Sequence, residues 1–319
     1  MKFFENCRLC PRKCGINRLG DSRTASSGFC GETGHMRVAF VGPHFGEEPP
    51  ITGKNGSGTV FFTGCSLKCS FCQNHQISRG HIGQSMQIHE LFLLVVKMIK
   101  KDQVHNINLV TPDHFLPHAF ELATRLCKED YNLPVIYNLS GYQSIEMLRM
   151  AEEYVDIYLP DYKYADGSLA AQHSKAGDYP VVALEAIAEM VRQKGGLEIP
   201  QGQQAPAKKG VLVRHLILPG KVENSLKALT TIFLEFGGTL PLSLMSQYHP
   251  IHPRQRGELN RLITSEEFKR VYEHALELGF EQLFVQFPDA EPSQKASPYF
   301  PDFRQEEPFK GKKALLTNA

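Results

Sequence analysis

The residues of this sequence best suited to chemistry are three cysteines on one short segment, Gly64-Cys65-Ser66-Leu67-Lys68-Cys69-Ser70-Phe71-Cys72-Gln73-Asn74. Thiolates are the usual ligands of iron–sulfur clusters. Three of them on a [4Fe–4S] cube leave one iron without a protein ligand, as catalytic metal sites keep a position open. The alternative is a structural zinc knuckle completed by His75 or His81. A second group, Cys7, Cys10, Cys14 and Cys30, offers four ligands. Four ligands close a tetrahedral site, so this centre would be structural or electron-transferring, and zinc and a second [4Fe–4S] cluster suit it equally. Between residues 1 and 40, Lys2, Arg8, Arg12, Lys13, Arg18, Arg23 and Arg37 outnumber Glu5, Asp21 and Glu32. That surplus offsets the negative charge of a thiolate-ligated centre, whichever metal it holds. Cys127, in an amphipathic helical pattern, reads as a small buried apolar residue.

The elements that must position these residues follow from periodicity. From residue 58 onward, short apolar runs alternate with amphipathic stretches. Strands are predicted at 59–63, 107–110, 135–138, 155–159, 211–218 and 242–247, with one further at 282–287. Helices are predicted over 88–101, 115–128, 144–153, 181–193, 225–236 and 265–278. The last has Thr264 or Ser265 as its cap, Glu267 near N3 and Gly279 past its end. Six β–α repeats imply a parallel sheet, and right-handed crossovers curl it into an α/β fold, a partial (β/α)6 TIM-like barrel. The three-cysteine loop then lies at the C-terminal mouth, where barrel enzymes keep their chemistry. The chain divides into a Cys-rich metal-binding N-terminal module and linker (1–57), the barrel (58–287) and a Pro-rich extended tail (288–319). A strand-like run at 36–41 and a Gly-rich lead-in at 53–58 fall within the first part.

Composition narrows the function classes. Across 319 residues, 35 Lys+Arg stand against 34 Asp+Glu, so no net field draws nucleic acid or an anionic membrane. The longest apolar run, residues 91–99, contains Lys97 and is too short to cross a bilayer. The first residues lack the apolar region of a signal peptide. With no export signal, an uneven four-plus-three grouping of cysteines argues for metal ligation in the reducing cytoplasm rather than a disulfide framework.

The CxxxCxxC spacing after a first strand, with Phe71 just before the last cysteine, resembles the radical S-adenosylmethionine (SAM) superfamily. The resemblance implies that the open iron binds the amino and carboxylate groups of SAM. Reduction then cleaves SAM to methionine and a 5′-deoxyadenosyl radical, which abstracts a hydrogen atom, while the protein positions and shields the cofactors. Later segments resemble the anaerobic glycyl-radical-enzyme activases, the family of pyruvate formate-lyase activating enzyme. Asp161-Tyr162-Lys163 is similar to their Asp-x-Lys motif, which implies that Lys163 meets the SAM carboxylate and Asp161 its ammonium. Val213-Arg214-His215-Leu216-Ile217-Leu218-Pro219-Gly220 resembles their fifth-strand motif. Alternation along that strand turns Arg214 and His215 opposite ways, with Arg214 the inward candidate and His215 structural.

Gln247-Tyr248-His249-Pro250 resembles the position of a SAM-contacting histidine, which implicates His249 ahead of His252. Asn138-Leu139-Ser140-Gly141-Tyr142 resembles the family's Asn-Gly turn, making Asn138 and Ser140 partners of SAM or substrate, or turn residues. The superfamily's Gly-Gly-Glu segment, which holds the SAM amino group, is replaced by Leu109-Val110-Thr111-Pro112-Asp113-His114. Thr111 or Asp113 is left to supply an acceptor. The implied partners are a glycyl radical enzyme as protein substrate and flavodoxin or ferredoxin as reductant, with neither nucleic acid nor membrane. A radical SAM modifier of peptides or small molecules is the alternative. A non-catalytic metal-binding adaptor is the alternative of another class.

Overall fold

The computed structural model describes residues 2–20, 26–199, 205–251, 257–288, 300–309 and 317–318. Its strands are β1 (Arg37–His44), β2 (Ser57–Phe62), β3 (Gln84–Ser85), β4 (Ile107–Val110), β5 (Val135–Leu139), β6 (Ile157–Pro160), β7 (Gly210–Val211), β8 (Val213–Leu216), β9 (Leu242–Met245), β10 (Leu283–Val285) and β11 (Thr317–Asn318). They pair in the orders β3-β1-β2-β4-β5-β6-β7 and β11-β10-β9-β8. A parallel bridge between Asp161 and Arg214 joins the two sheets into one wall.

Every pair between β2 and β10 is parallel. Such strands are covered on both faces, so they are apolar throughout rather than alternating. β4, β5 and β6 are buried at every position. The expected strand at 211–218 is broken at Leu212, whose N–H turns to Tyr158 O at 3.1 Å. β10 continues the parallel order, so the partial barrel has one strand more than the six-fold reading.

The outer helices include Ile88–Asp102, Leu116–Lys128, Ile145–Ala151, Tyr179–Lys194, Val222–Phe236 and Ser265–Leu278. The last begins at the expected capping box: Glu267 N–H donates to Thr264 Oγ1 at 3.1 Å, and Thr264 N–H to Glu267 Oε2 at 2.8 Å. Cys127 is exposed, contrary to the expectation of burial. Its helix turns Leu122 and Leu126 to the core instead. Among the described residues, no helix is long and apolar enough to cross a membrane.

The stretch 42–57, the linker part of the expected N-terminal module, is tied to the sheet at both ends. β1 runs antiparallel to β2, pairing Gly42 with Thr59, Pro43 with Gly58 and His44 with Ser57. A short helix, Pro49–Thr52, follows with Ile51 buried. The Gly and Pro content there marks turns, not slackness. The cysteine-rich module likewise shares the main core through Phe4, Cys7 and Leu9. Arg18 is fully buried, and its guanidinium donates to the carbonyls of Glu32 (3.0 Å), His114 (2.9 Å) and Thr33 (2.8 Å).

The tail is partly packed. Phe303 N–H donates to Gln76 Oε1 at 2.7 Å, and Gln76 Nε2 donates to Asp302 Oδ1 at 3.1 Å. Phe303 and Phe309 lie on Phe61 at ring-centroid separations of 5.3 and 5.4 Å.

Candidate active site

A cavity of about 190 Å³ opens at the C-terminal ends of the parallel strands. Cys65, Cys69, Cys72, Thr111, Asn138, Ser140, Asp161, Lys163, Arg214 and His249 all line it. Residues spread over 184 positions of sequence thus meet because each follows or ends a neighbouring strand. His252 lies outside the described residues.

The cysteine loop is set by its apolar members. Leu67 and Phe71 are buried, and Phe71 packs edge-on against Tyr164 and Tyr248 at 6.1 and 6.4 Å. Hydroxyl and amide donors approach the sulfurs: Ser174 Oγ to Cys69 at 3.0 Å, Ser78 Oγ to Cys72 at 3.5 Å and Leu67 N–H to Cys65 at 3.4 Å. Burial pushes the Cys65 and Cys69 thiols up, and the neighbouring cysteines push Cys65 further. Only Lys163 among the nearby charges pulls Cys69 back down. Buried thiols with donors aimed at their sulfurs become stable thiolates when a metal supplies positive charge. This donor set fits a cluster. Among the described residues, no three His, Cys, Asp or Glu side chains stand ready around a single ion. A cube does not require that, since each thiolate takes a different iron. His81 is committed elsewhere, with Nδ1 2.6 Å from Glu32 Oε1.

Behind the loop lies a buried charge network. Asp161 receives Lys163 Nζ on one oxygen and Arg214 Nε on the other, the latter at 3.2 Å. Burial alone would raise Asp161, but Lys163 and Arg214 together hold it below the usual carboxylate value. Lys163 is correspondingly raised, because Asp161 and Cys69 outweigh burial. Arg214 also reaches Glu47 Oε2 at 3.2 Å and Asn138 Oδ1. The neighbouring His215 faces the other way, to Tyr162 O at 2.6 Å and Ser225 Oγ at 2.9 Å. Burial lowers its pKa to about 4, so it stays neutral. His249 is held loosely, with Nδ1 3.3 Å from Gln247 O.

Two turns bring backbone to the cavity. Gly141 has φ +84°, and a Cβ there would lie 2.1 Å from Asp161 O, so the Ser140 turn admits only glycine. Thr111, in the segment that stands in place of the superfamily's Gly-Gly-Glu, adopts φ 57°. That conformation is strained for a β-branched residue, and the Thr111 N–H is tied to Asn138 O at 3.0 Å. Asp113 does not line the cavity. Its carboxylate accepts from Gln143 on the far side, beside Leu9 and Tyr137, and burial raises its pKa to about 6.

Sequence reading missed several cavity residues. Glu47, Glu48 and His44 come from the supposed linker, Gln286 from beyond β10 and Phe309 from the tail. Glu47 accepts from Asn108 Nδ2 at 3.1 Å and Asn138 Nδ2 at 3.3 Å. Adjacent acids in an otherwise apolar, Gly- and Pro-rich segment were the available signal. Tyr179 was also missed: its hydroxyl lies 2.8 Å from the carbonyls of both Ser140 and Asp161 and accepts from Lys163 N–H at 3.0 Å. It therefore positions three cavity residues from a helix behind them.

Cys7, Cys10 and Cys30 are buried and Cys14 is half-buried. A Cβ on Gly28 would lie 3.4 Å from Cys30 Sγ and 3.7 Å from Cys14 Sγ, so these two sulfurs converge there. Arg18 Nη1 donates to Cys7 Sγ at 3.3 Å. Burial pushes the Cys10 thiol up to about 12. The group abuts the cavity loop, because Cys65 N–H donates to Cys30 O at 3.4 Å. Arg12 clamps the same junction through Ser66 O and Ser174 O, both at 2.8 Å.

Residues 59–196 match the sequence model of the Radical SAM superfamily. That span holds the three-cysteine loop, Thr111, Asn138, Ser140, Asp161 and Lys163, whereas Arg214 and His249 lie beyond it. Over that segment the chain is therefore similar to radical SAM domains, a family whose chemistry implies a [4Fe–4S] cluster and SAM. Over 289 residues, the chain is 25% identical to an uncharacterized protein, MJ0674, of Methanocaldococcus jannaschii, covering 88% of this chain and 78% of that one. Similar solved structures include methylornithine synthase, PylB (15% identity, TM-score 0.44, 69% of this chain and 60% of that one). Another is HydG, a maturase of the [FeFe]-hydrogenase (11% identity, TM-score 0.48, 76% of this chain and 52% of that one). The chain thus spans only about half to three-fifths of those two structures.

Proposed function

We propose that the protein holds its cluster on Cys65, Cys69 and Cys72, cleaves SAM reductively, and abstracts hydrogen from a glycine of a partner glycyl radical enzyme. The convergence of those cysteines with Asp161, Lys163, Arg214 and His249 on one cavity supports this reading. When bound, the cluster supplies the electron, taken from flavodoxin or ferredoxin, that divides SAM into methionine and a 5′-deoxyadenosyl radical. The protein's own residues bind and shield. Lys163 presents an ammonium to the SAM carboxylate, and Asp161, kept ionised by Lys163 and Arg214, accepts from the SAM amino group. Ser174 and Ser78 steady the sulfurs, and Leu67 and Phe71 keep water from behind the loop. The cytoplasm as its compartment belongs to the same proposal, as does a second [4Fe–4S] cluster or zinc on Cys7, Cys10, Cys14 and Cys30.

The test is anaerobic reconstitution followed by low-temperature EPR of the reduced protein, with and without SAM. Wild type should give a [4Fe–4S]⁺ signal that shifts with SAM and vanishes in the Cys65→Ala/Cys69→Ala/Cys72→Ala variant. A signal indifferent to SAM in an iron-replete sample overturns the reading. One observation favours the alternative, a small-molecule substrate. Phe309 lies over the cavity, its ring 4.2 Å from that of His44, and an inserted protein loop would have to displace it. A glycyl-radical doublet on the partner supports activation; 5′-deoxyadenosine formed only with a small substrate supports the alternative.

A further inference from the structure

Donors approach all three sulfurs of the cavity loop, and they are not alike. Leu67 N–H reaches Cys65 at 3.4 Å and Ser78 Oγ reaches Cys72 at 3.5 Å, whereas Ser174 Oγ reaches Cys69 at 3.0 Å. The Ser174 hydroxyl also has a second hydroxyl behind it, Tyr164 Oη at 2.7 Å. Ser174 and Tyr164 are both fully buried, so neither turns to bulk water.

The direction of donation follows from counting protons. A serine hydroxyl carries one O–H, and a thiolate only accepts. With its proton committed to Cys69, Ser174 meets Tyr164 as an acceptor, so Tyr164 donates. The two O–H groups thus run in series toward one sulfur. Hydrogen bonds arranged in this way polarise one another in a low-dielectric interior, the outer strengthening the inner. The surroundings hold the series in place. Ser70 N–H donates to His173 O at 2.8 Å, and the Ser70 hydroxyl meets His173 Nδ1 at 2.9 Å, which ties the cysteine loop to the end of the helix Gly167–Ser174. Arg12 Nη2 donates to Ser174 O at 2.8 Å. Phe71 and Tyr179 stand edge-on to the Tyr164 ring at 6.1 and 5.2 Å.

Hydrogen bonds to ligand sulfurs are one of the levers that set an iron–sulfur potential. A donor on sulfur stabilises the negative charge that a one-electron reduction adds, and so moves the potential upward. We propose that Tyr164 and Ser174 form a donor chain on Cys69 that raises the reduction potential of a cluster on the cavity loop. Ser174 acts on the ligand itself, and Tyr164 is a positioning residue that acts through Ser174. This rests on the loop holding the radical SAM cluster, and it names the residues that govern how readily that cluster takes its electron.

The test is an anaerobic redox titration of reconstituted protein read by EPR, after subtraction of any signal left in the Cys65→Ala/Cys69→Ala/Cys72→Ala variant. At the wild-type midpoint, Ser174→Ala should lower the ratio of reduced to oxidised cluster about tenfold, a shift of about 59 mV to lower potential for one electron. Tyr164→Phe, which removes only the hydroxyl, should lower it roughly two- to threefold. Iron content should stay as in wild type. Loosened packing that let water approach the cluster would move the potential the other way, so the sign separates the proposal from a merely structural role. Should Ser174→Ala fail to take up its iron, Tyr164→Phe decides alone. An unchanged or raised potential in the variant that loads fully overturns the proposal. Failure of the radical SAM reading would show separately, as an EPR signal that the triple variant retains in full or that SAM does not change.

Discussion

Cys65, Cys69 and Cys72 border a cavity, with Lys163 beside Cys69 and Asn138, Asp161 and Arg214 among its polar lining. Cys7, Cys10, Cys14 and Cys30 do not line that cavity and are instead wrapped by Arg18, the 28–33 turn and the aromatic ring of Phe4, 5.0 Å from the Arg18 guanidinium. Both groups are mostly buried, and burial raises the Cys65 and Cys69 thiols in one and the Cys10 and Cys30 thiols in the other. They differ in ligand count and in what faces the remaining side. Three ligands beside an open volume suit binding and reaction, and four ligands beside a fully buried cation suit permanent closure. Among the described residues no carboxylate pairs with Arg18, so thiolates of a filled centre are the anions its charge can meet.

The largest expected effect separates the two groups outright. Cys69→Ala should lower SAM-dependent 5′-deoxyadenosine formation at least a thousandfold, whereas Cys10→Ala should leave the SAM-induced EPR shift of the loop cluster in place. Equal loss of that shift in both variants would mean that the groups form one functional unit. Next in size, Arg18→Met strips three buried carbonyls of their donor and should cost about 3 kcal/mol or more in anaerobic denaturant melts. Metal content should fall at the N-terminal group first; an unchanged melt would show that Arg18 is not its support.

On the open side, Lys163→Met should weaken SAM about tenfold to a hundredfold, or roughly 1.4–2.7 kcal/mol, while the cluster signal without SAM persists. Retained affinity would remove Lys163 from the SAM site. A last effect of comparable size, seen only above the acid range, tests the floor beneath the N-terminal group. The folded Asp113 carboxyl keeps its proton up to about pH 6 against an ordinary 3.8. The folded state therefore binds more protons across that interval, and stability falls as pH rises through it. Asp113→Asn should leave stability unchanged below pH 4 and raise it on the order of 2 kcal/mol at pH 7.5. Melts that differ equally at both pH values would exclude ionisation as the cause.

Much of the parallel wall was legible because fully buried strands and amphipathic helices leave periodic traces. The helix Ser265–Leu278 and the strand Ile107–Val110 fall where periodicity and capping place them. Arg214 was legible from the resemblance of its strand to the family motif together with alternation, which turns its neighbour His215 to the outer layer. Asp113 was misplaced because the left-handed backbone at Thr111, followed by Pro112, breaks the register that would have carried it inward. Glu47, Glu48 and Phe309 left no periodic signal, the adjacent acids being the one local cue to the first two. They reach the cavity from segments without periodicity, joined to the barrel only by contacts distant in sequence.

The open barrel also leaves a question of sheet edges. A parallel wall that does not close exposes a row of unpaired N–H and C=O groups on each flank, a template for another chain. Here β1 lies antiparallel along β2 on one side, and β11 along β10 on the other. The outermost strands that remain, β3 and β11, are two residues long. Neither is long enough to seed much pairing. The segments flanking the barrel in sequence thus act as bumpers against self-association, so a core trimmed to residues 58–287 should form oligomers under conditions where the full chain does not.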